Sequence, residues 1–221
     1  SYPHAAETRL PAKLTATQLK GRALDEEIAE HTTPPPRLRS LARPGFLRGD
    51  QPLTGAERGT ALHLVMQYLD FSCGGDEEAV RAQIGQMRAL RRLTDEQAAA
   101  ADICAIVRFL QSPLAARIRA SRKVEREYRF SLLRPARELT GADSDDPVLL
   151  QGVVDCFFEE DGALVVVDFK TDRIAPGETE ARAARYRAQL EAYSIALSRV
   201  MEKPVREKIL YFFAPGEEVR I

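Results

Sequence analysis

The chain lacks an excess of charge of either sign: 32 Lys and Arg stand against 33 Asp and Glu, a formal net charge of −1 over 221 residues. Bulk charge therefore announces no nucleic-acid partner, and any basic surface has to be local. Cysteine is scarce and odd in number. Cys73, Cys104 and Cys156 are widely separated, which fits neither a disulfide framework nor a CxxC metal knuckle, and they read as reduced thiols of a cytosolic protein. No run approaches the roughly 18 uninterrupted apolar residues of a membrane span. The first thirty positions lack the apolar core of a signal peptide. A soluble, cytoplasmic protein is expected. What is abundant is apolar residue, 44% of the chain, enough to bury a sizeable core, and the length favours one domain with insertions.

Residues 1–56 read as an N-terminal arm and linker. The arm holds one short helix, capped by Thr15 or Thr17; in the linker Pro34, Pro35, Pro36, Pro44 and Pro52 sit among arginines and resist regular structure. Residues 57–221 read as one α/β domain. Its first helix covers 57–70, where Leu62, Val65, Met66 and Leu69 recur at helical spacing with His63 beside the stripe. The stretch 76–121 predicts a helical insertion of two or three helices, with breaks near Thr94 and at Pro113. At Val124 the period changes to alternation, placing Val124, Arg126, Tyr128, Phe130 and Leu132 on one strand face and Glu125, Glu127 and Arg129 on the other. Two β-branched and aromatic runs, VLLQGVVDCFF and ALVVVDFK, follow around a turn signal at Asp161-Gly162. Helical period returns over 178–200 through Tyr186, Leu190, Tyr193 and Leu197, and 208–213 form a last strand before Pro215-Gly216. The order is α, then three β, then α, then β.

A two-residue turn at Asp161-Gly162 sets Glu160 opposite Ala163, and the same register carries Asp155 to a position opposite Asp168 and Val153 opposite Lys170. Side chains alternate along a strand, so Asp155, Asp168 and Lys170 project from one face. Opposed carboxylates with Cβ atoms roughly 5 Å apart repel unless a cation lies between them. Oxygen ligands favour a hard divalent ion, Mg²⁺ or Mn²⁺. Such an ion polarises a phosphodiester and lowers the pKa of a bound water, while Lys170 stabilises charge on the phosphate or positions the water. Alone, the DFK tripeptide is better explained as an ion pair at a strand end; the opposed Asp155 is what points to a site.

The chain order GTALH at 59–63, EREYRF at 125–130, GVVD at 152–155, DFKTD at 168–172 and YRAQLEAY at 186–193 resembles the RecB-type nuclease domain of the PD-(D/E)XK superfamily, above all domains of the AddA type. The likeness runs from about Leu14 onward. It implies an α-βββ-α-β core, a central mixed sheet flanked by helices. It also implies a metal site of His63, Asp155 and Asp168 with the backbone carbonyl of Phe169, and Lys170 as the catalytic lysine. Gln189 and Tyr193 match a QxxxY motif expected to border the site and the DNA strand, and Glu127 matches a recurrent glutamate grouped here with the DNA-binding residues. From the residues alone, His63 is an ordinary helix-surface histidine, Tyr186 and Tyr193 are core positions, and Glu127 is a strand-surface glutamate.

The activity this resemblance implies is that of a Mg²⁺-dependent deoxyribonuclease, with Mn²⁺ able to substitute, cutting single-stranded DNA. The DNA would be delivered by a helicase domain of the same full-length protein, beside an AddB-type partner, during double-strand-break processing for recombination. No GxxxxGK[ST] occurs, so no ATP site is expected in this chain, which reads as a domain excised from a larger protein. Three dispersed cysteines do not supply the four-cysteine iron–sulphur cluster of related nucleases. Cys156 is expected to be buried, facing away from the metal. The basic stretches 117–129, 182–187 and 37–48 either flank a DNA channel or are solvated faces. Two other classes compete. A catalytically silent nuclease-like fold used for DNA binding or subunit docking is opposed by the intact Asp155, Asp168 and Lys170 set. A carboxylate-pair hydrolase of sugars is opposed by the adjacent lysine and the small separation of the acids.

Overall fold

The computed structural model describes residues 10–20, 53–140, 142–175 and 177–221, so the Pro-rich linker and the basic stretch 37–48 lie outside the described residues. The chain divides into two compact units, one within 22–112 and one formed by 1–21 with 113–221. Among the described residues no helix is long and apolar enough to cross a membrane.

The first unit holds α1 (Gly55–Tyr68), α2 (Glu77–Ala89), α3 (Asp95–Ala99) and α4 (Ile103–Leu110). A Thr-x-x-Glu capping box opens α1: the Thr54 hydroxyl accepts the Glu57 amide at 3.2 Å, and the Glu57 carboxylate accepts the Thr54 amide at 2.9 Å. Leu62, Val65, Met66 and Leu69 are buried, as their spacing predicts. Thr94 caps α3 through a second capping box with Gln97. Asp102 caps a helix the periodicity did not separate, accepting the Ala105 amide at 3.0 Å.

The second unit opens with β1 (Lys13–Thr15), where a capped helix was expected. The strand adds parallel to β3 (Pro147–Glu160), and Thr15 then caps only a 3-10 turn over Ala16–Lys20, bonding reciprocally with Gln18 at 2.9 and 3.3 Å. Three residues are too few to carry a period. Pro113 begins α5 (Pro113–Ala120), where its missing N–H is harmless. β2 (Val124–Pro135) leads through α6 (Ala136–Thr140) into β3, and β3 turns back as β4 (Ala163–Lys170). The chain then crosses through α7 (Thr179–Ala184) and α8 (Arg187–Met201) to β5 (Val205–Phe212), parallel to β4, and ends with β6 (Glu217–Arg220). The mixed sheet runs β1-β3-β4-β5-β6, with β2 also paired to β3. β6 left no sequence signal because only Val219 of its four residues is buried.

Every residue of β4 is buried, as a central strand with both neighbours and both faces covered requires. Leu150, Val154, Phe157, Leu164, Val166, Leu210 and Phe212 of the sheet pack with Leu190, Tyr193 and Leu197 of α8 in one apolar cluster. Asp161 and Gly162 have φ of 49° and 78°, the two positive values that a type I′ turn demands, and Glu160 faces Ala163 as predicted.

Candidate active site

The site is organised by the way β3 shares its edges. One edge pairs with β2 between Pro147 and Phe158. The other is divided: Leu149, Leu150 and Gln151 pair with β1, and Cys156 through Glu160 pair with β4. The GVVD stretch, 152–155, falls between these two partners. The β3–β4 ladder ends at Cys156 and Val167, one pair short of the expected meeting of Asp155 and Asp168, and short also of Val153 and Lys170. Beyond it, a side chain replaces the ladder bond: Asp155 Oδ2 accepts the backbone amide of Phe169 at 2.7 Å. The register is as predicted, but the strands fork where the two aspartates would have been opposed, which relieves like-charge contact and holds Asp155 against the Asp168–Lys170 segment.

Glu127 in β2 would face Asp155, but the paired residues pass from Arg126–Cys156 to Tyr128–Val154 without it. Its φ is +52°, a left-handed value that costs an L residue on the order of 1–2 kcal/mol. Glu125 and Arg129, predicted to share its face, are exposed, whereas Glu127 is half-buried. A carboxylate oxygen of Glu127 and one of Asp155 lie within 4.8 Å of each other. A hard divalent cation, with oxygens roughly 2.0–2.6 Å away on each side, spans that separation, so this donor set fits the ion that the sequence implied.

Asp168, Lys170 and Gln189 are three of the four buried polar or charged residues described, and they touch one another. Lys170 Nζ forms an ion pair with Asp168 Oδ2 and donates to Gln189 Oε1 at 3.3 Å. Gln189 Nε2 lies 3.5 Å from Asp168 Oδ1 and also bonds the Tyr193 hydroxyl. Lys170 Nζ stands 4.3 Å from the centre of the Tyr186 ring. Burial works to depress the Lys170 pKa, but the carboxylates of Asp168, Asp155 and Asp172 outweigh it and the net direction is upward. Burial raises the pKa of both phenols, assisted by Asp172 at Tyr186 and by Asp168 and Asp155 at Tyr193, so both stay neutral.

The Tyr186 hydroxyl lies 2.9 Å from both oxygens of Asp172, whose Oδ1 also pairs with Arg182 Nε at 3.2 Å. Sequence reasoning passed over this cluster. Asp172 and Tyr186 were present in DFKTD and YRAQLEAY, and a buried tyrosine needs a partner for its hydroxyl. His63 lies half-buried in α1 of the helical unit. Cys156 is fully buried, and burial pushes its thiol up to about 12. Of the basic stretches, Arg117 is engaged by Glu160 and Glu207, and Arg182 by Asp172. Past the ends of β4 and β5, Arg173, Ile174, Ala214, Pro215 and Glu217 line a cleft of about 500 Å³.

Carboxylates gathered at a strand fork beside a buried lysine form an acidic and cationic constellation suited to phosphodiester chemistry. Residues 37–220 match the PD-(D/E)XK nuclease superfamily. The chain belongs to that superfamily. It is similar to curated A-type subunits of ATP-dependent helicase/nucleases. With the protein of Acetivibrio thermocellus it shares 41% identity over 224 residues, covering 98% of this chain and 17% of the relative. With that of Moorella thermoacetica the identity is 40% over 229 residues, covering 100% and 16%. With that of Alkaliphilus oremlandii it is 35% over 224 residues, covering 100% and 18%. The chain thus spans 16–18% of the length of these relatives.

Proposed function

We propose that this chain is a metal-dependent deoxyribonuclease that hydrolyses phosphodiester bonds of single-stranded DNA. The observation that carries this reading is the fork between β3 and β4, where Asp155 approaches Glu127 on one side and the Asp168–Lys170 segment on the other. Asp155, Asp168, the Phe169 carbonyl and His63 would hold Mg²⁺ or Mn²⁺, with His63 assigned by the family resemblance, and Glu127 adds a carboxylate beside Asp155. The ion, when bound, supplies Lewis-acid polarisation of the phosphate and an acidified water.

The chain's own groups supply the remainder. Lys170 offers a fixed positive charge to the non-bridging oxygens as negative charge develops in the transition state. Gln189, bonded in turn to the Tyr193 hydroxyl, holds the Lys170–Asp168 pair, and both residues would border the DNA strand. Arg173 makes no ion pair among the described residues, and its place on the cleft beyond β4 suits it to a backbone phosphate of that strand. By likeness to the helicase/nuclease relatives, the DNA is delivered by a helicase domain of the same full-length protein, with an AddB-type protein as partner, in the cytoplasm during break processing for recombination.

The test is cleavage of end-labelled single- and double-stranded DNA with Mg²⁺ or EDTA, by the native protein, Asp168→Ala and Lys170→Ala. Metal-dependent cleavage preferring single strands, abolished in Asp168→Ala and cut to a small residual rate in Lys170→Ala, is expected. Cleavage in EDTA, or cleavage insensitive to both substitutions, refutes the site. A folded native protein that binds but never cuts DNA favours a docking or binding module.

A further inference from the structure

We propose that Tyr186 is a positioning residue for Lys170, its ring face holding the ammonium in place and its hydroxyl, anchored on Asp172, holding the ring. The proposal rests on the reading that Lys170 acts on the scissile phosphate. A lysine is a point charge on a flexible stem, so its usefulness depends on what fixes the ammonium. Among the described residues, Nζ lies against the Asp168 carboxylate, Gln189 Oε1 at 3.3 Å and the Tyr186 ring at 4.3 Å. Asp168 is also assigned to the metal, and oxygens committed to a divalent ion have less to offer an ammonium. The ring has no such second duty. It attracts the charge through its quadrupole without neutralising it, so the ammonium stays available to a phosphate.

The ring is itself immobilised. Tyr186 is 1% exposed and precedes the first residue of α8. Its hydroxyl donates to the Asp172 carboxylate, 2.9 Å from either oxygen, and Asp172 is held in turn by Arg182 at 3.2 Å. Asp172 lies two residues beyond Lys170, so the two ends of the arrangement meet: strand β4 delivers the lysine, the loop after it delivers the anchor, and the start of α8 delivers the ring. The rigid phenol thereby sets the direction of a side chain rooted on a different element.

The experiment combines spectroscopy and kinetics on the native protein and on Y186L, Y186F and Tyr186→Met, each checked by its melting transition. With selectively labelled lysine, assigned by Lys170→Arg, the ε-methylene protons of Lys170 should show a ring-current upfield shift in the native protein and in Y186F. They should lose it in Y186L and Tyr186→Met. If Y186L does not fold, the methionine variant decides. On saturating single-stranded DNA, Y186L should lower kcat about tenfold with KM changed less than about twofold, and Y186F, which keeps the ring but loses its anchor on Asp172, should fall between native and Y186L. In a Lys170→Ala background Y186L should cost nothing further, because the residue acts through the lysine. An unshifted Lys170 resonance in Y186L, or a full additional loss without the lysine, overturns the proposal. Native-rate cleavage by Lys170→Ala would instead sink the catalytic reading, leaving the resonance to decide whether the ring holds the ammonium.

Discussion

Gly152→Ala places one methyl group three residues from Asp155, and its effect can be followed to Lys170, the lysine proposed to act on the phosphate. Gly152 faces Phe130 across the β2–β3 ladder. A Cβ there would lie 2.6 Å from Cε1 and Cζ of the Phe130 ring and 3.1 Å from the Cβ of Ala16. The ring must move. Phe130 is buried and stands edge-on to Tyr193, centroids 5.9 Å apart at 83°, and Tyr193 bonds Gln189, which holds Lys170 and Asp168. Overpacking a filled core by one methyl costs about 1–3 kcal/mol. For a chain of this size that lowers Tm by roughly 2–12 °C. Melting followed by circular dichroism measures it, and kcat on single-stranded DNA should fall in the same variant as Gln189 is displaced. Phe130→Leu shortens the offending side chain, so the double variant should melt above Gly152→Ala. The packing argument is refuted if Gly152→Ala melts within about 1 °C of native, or if Phe130→Leu restores nothing.

Carboxylate oxygens of Glu127 and Asp155 lie within 4.8 Å of each other, and at that limit two such charges repel by about 1 kcal/mol in water-like surroundings and about 3.5 at an effective dielectric of 20. Glu127→Gln should therefore raise stability in EDTA by at least about 1 kcal/mol and weaken the stabilisation by Mn²⁺; a less stable variant with a full Mn²⁺ shift contradicts this. Cys156 is buried with its thiol pushed up to about 12, whereas Cys104 is exposed, so a thiol reagent at neutral pH should modify Cys104 first and Cys156 only on unfolding. Mass spectrometry of the labelled peptides reads the order, and early modification of Cys156 counts against the packing described. Glu160 is held below the ordinary glutamate range by its hydrogen bond from Arg117. The resulting stability is present above the unfolded-state value near 4.3 and is lost as pH falls through the folded value. Arg117→Met should accordingly lose less stability than native on acidification below about pH 5, and identical acid profiles would argue against this coupling.

How much was legible in the sequence depended on whether the signal was local. The Asp161-Gly162 dipeptide selects its own turn geometry, and register follows from the turn, so the β3–β4 pairing was readable without coordinates. Buried Tyr186, Leu190, Tyr193 and Leu197 followed from periodicity, although a break at Arg185 and Tyr186 separates α7 from α8. The end of the ladder was not readable, because nothing in a two-residue period says where pairing stops. Glu127 illustrates the same limit: alternation assigned it to a strand surface, and neither its register opposite Asp155 in β3 nor its left-handed backbone angle could be read from that period. The hold on Lys170 escaped for a further reason. Asp172, Arg182 and Tyr186 lie on separate segments, and contacts between segments leave no period in a linear string.

The hairpin of β3 and β4 has opposite requirements at its two ends. At the site end the backbone ladder stops, a carboxylate substitutes for a carbonyl, and Glu127 adopts a strained angle; each of these departs from what the sheet would favour. At the turn end the chain is tied firmly. Arg117 bonds Glu160 through Nε at 3.0 Å and Glu207 through Nη2 at 2.9 Å while standing 5.6 Å from the centre of the Phe158 ring, and Arg206 reaches both Glu160 and Asp161. Isolated surface pairs contribute little, but here one guanidinium joins α5, β3 and β5 with several charge-assisted bonds and a ring beneath it. A clamp at the closed end lets the strands separate at the open end without the register slipping. A slip of one residue would turn Asp168 and Lys170 away from α8 and abolish the site outright. The ionic network at the far end of the hairpin is therefore part of what keeps the acids and the lysine of the candidate site on one face.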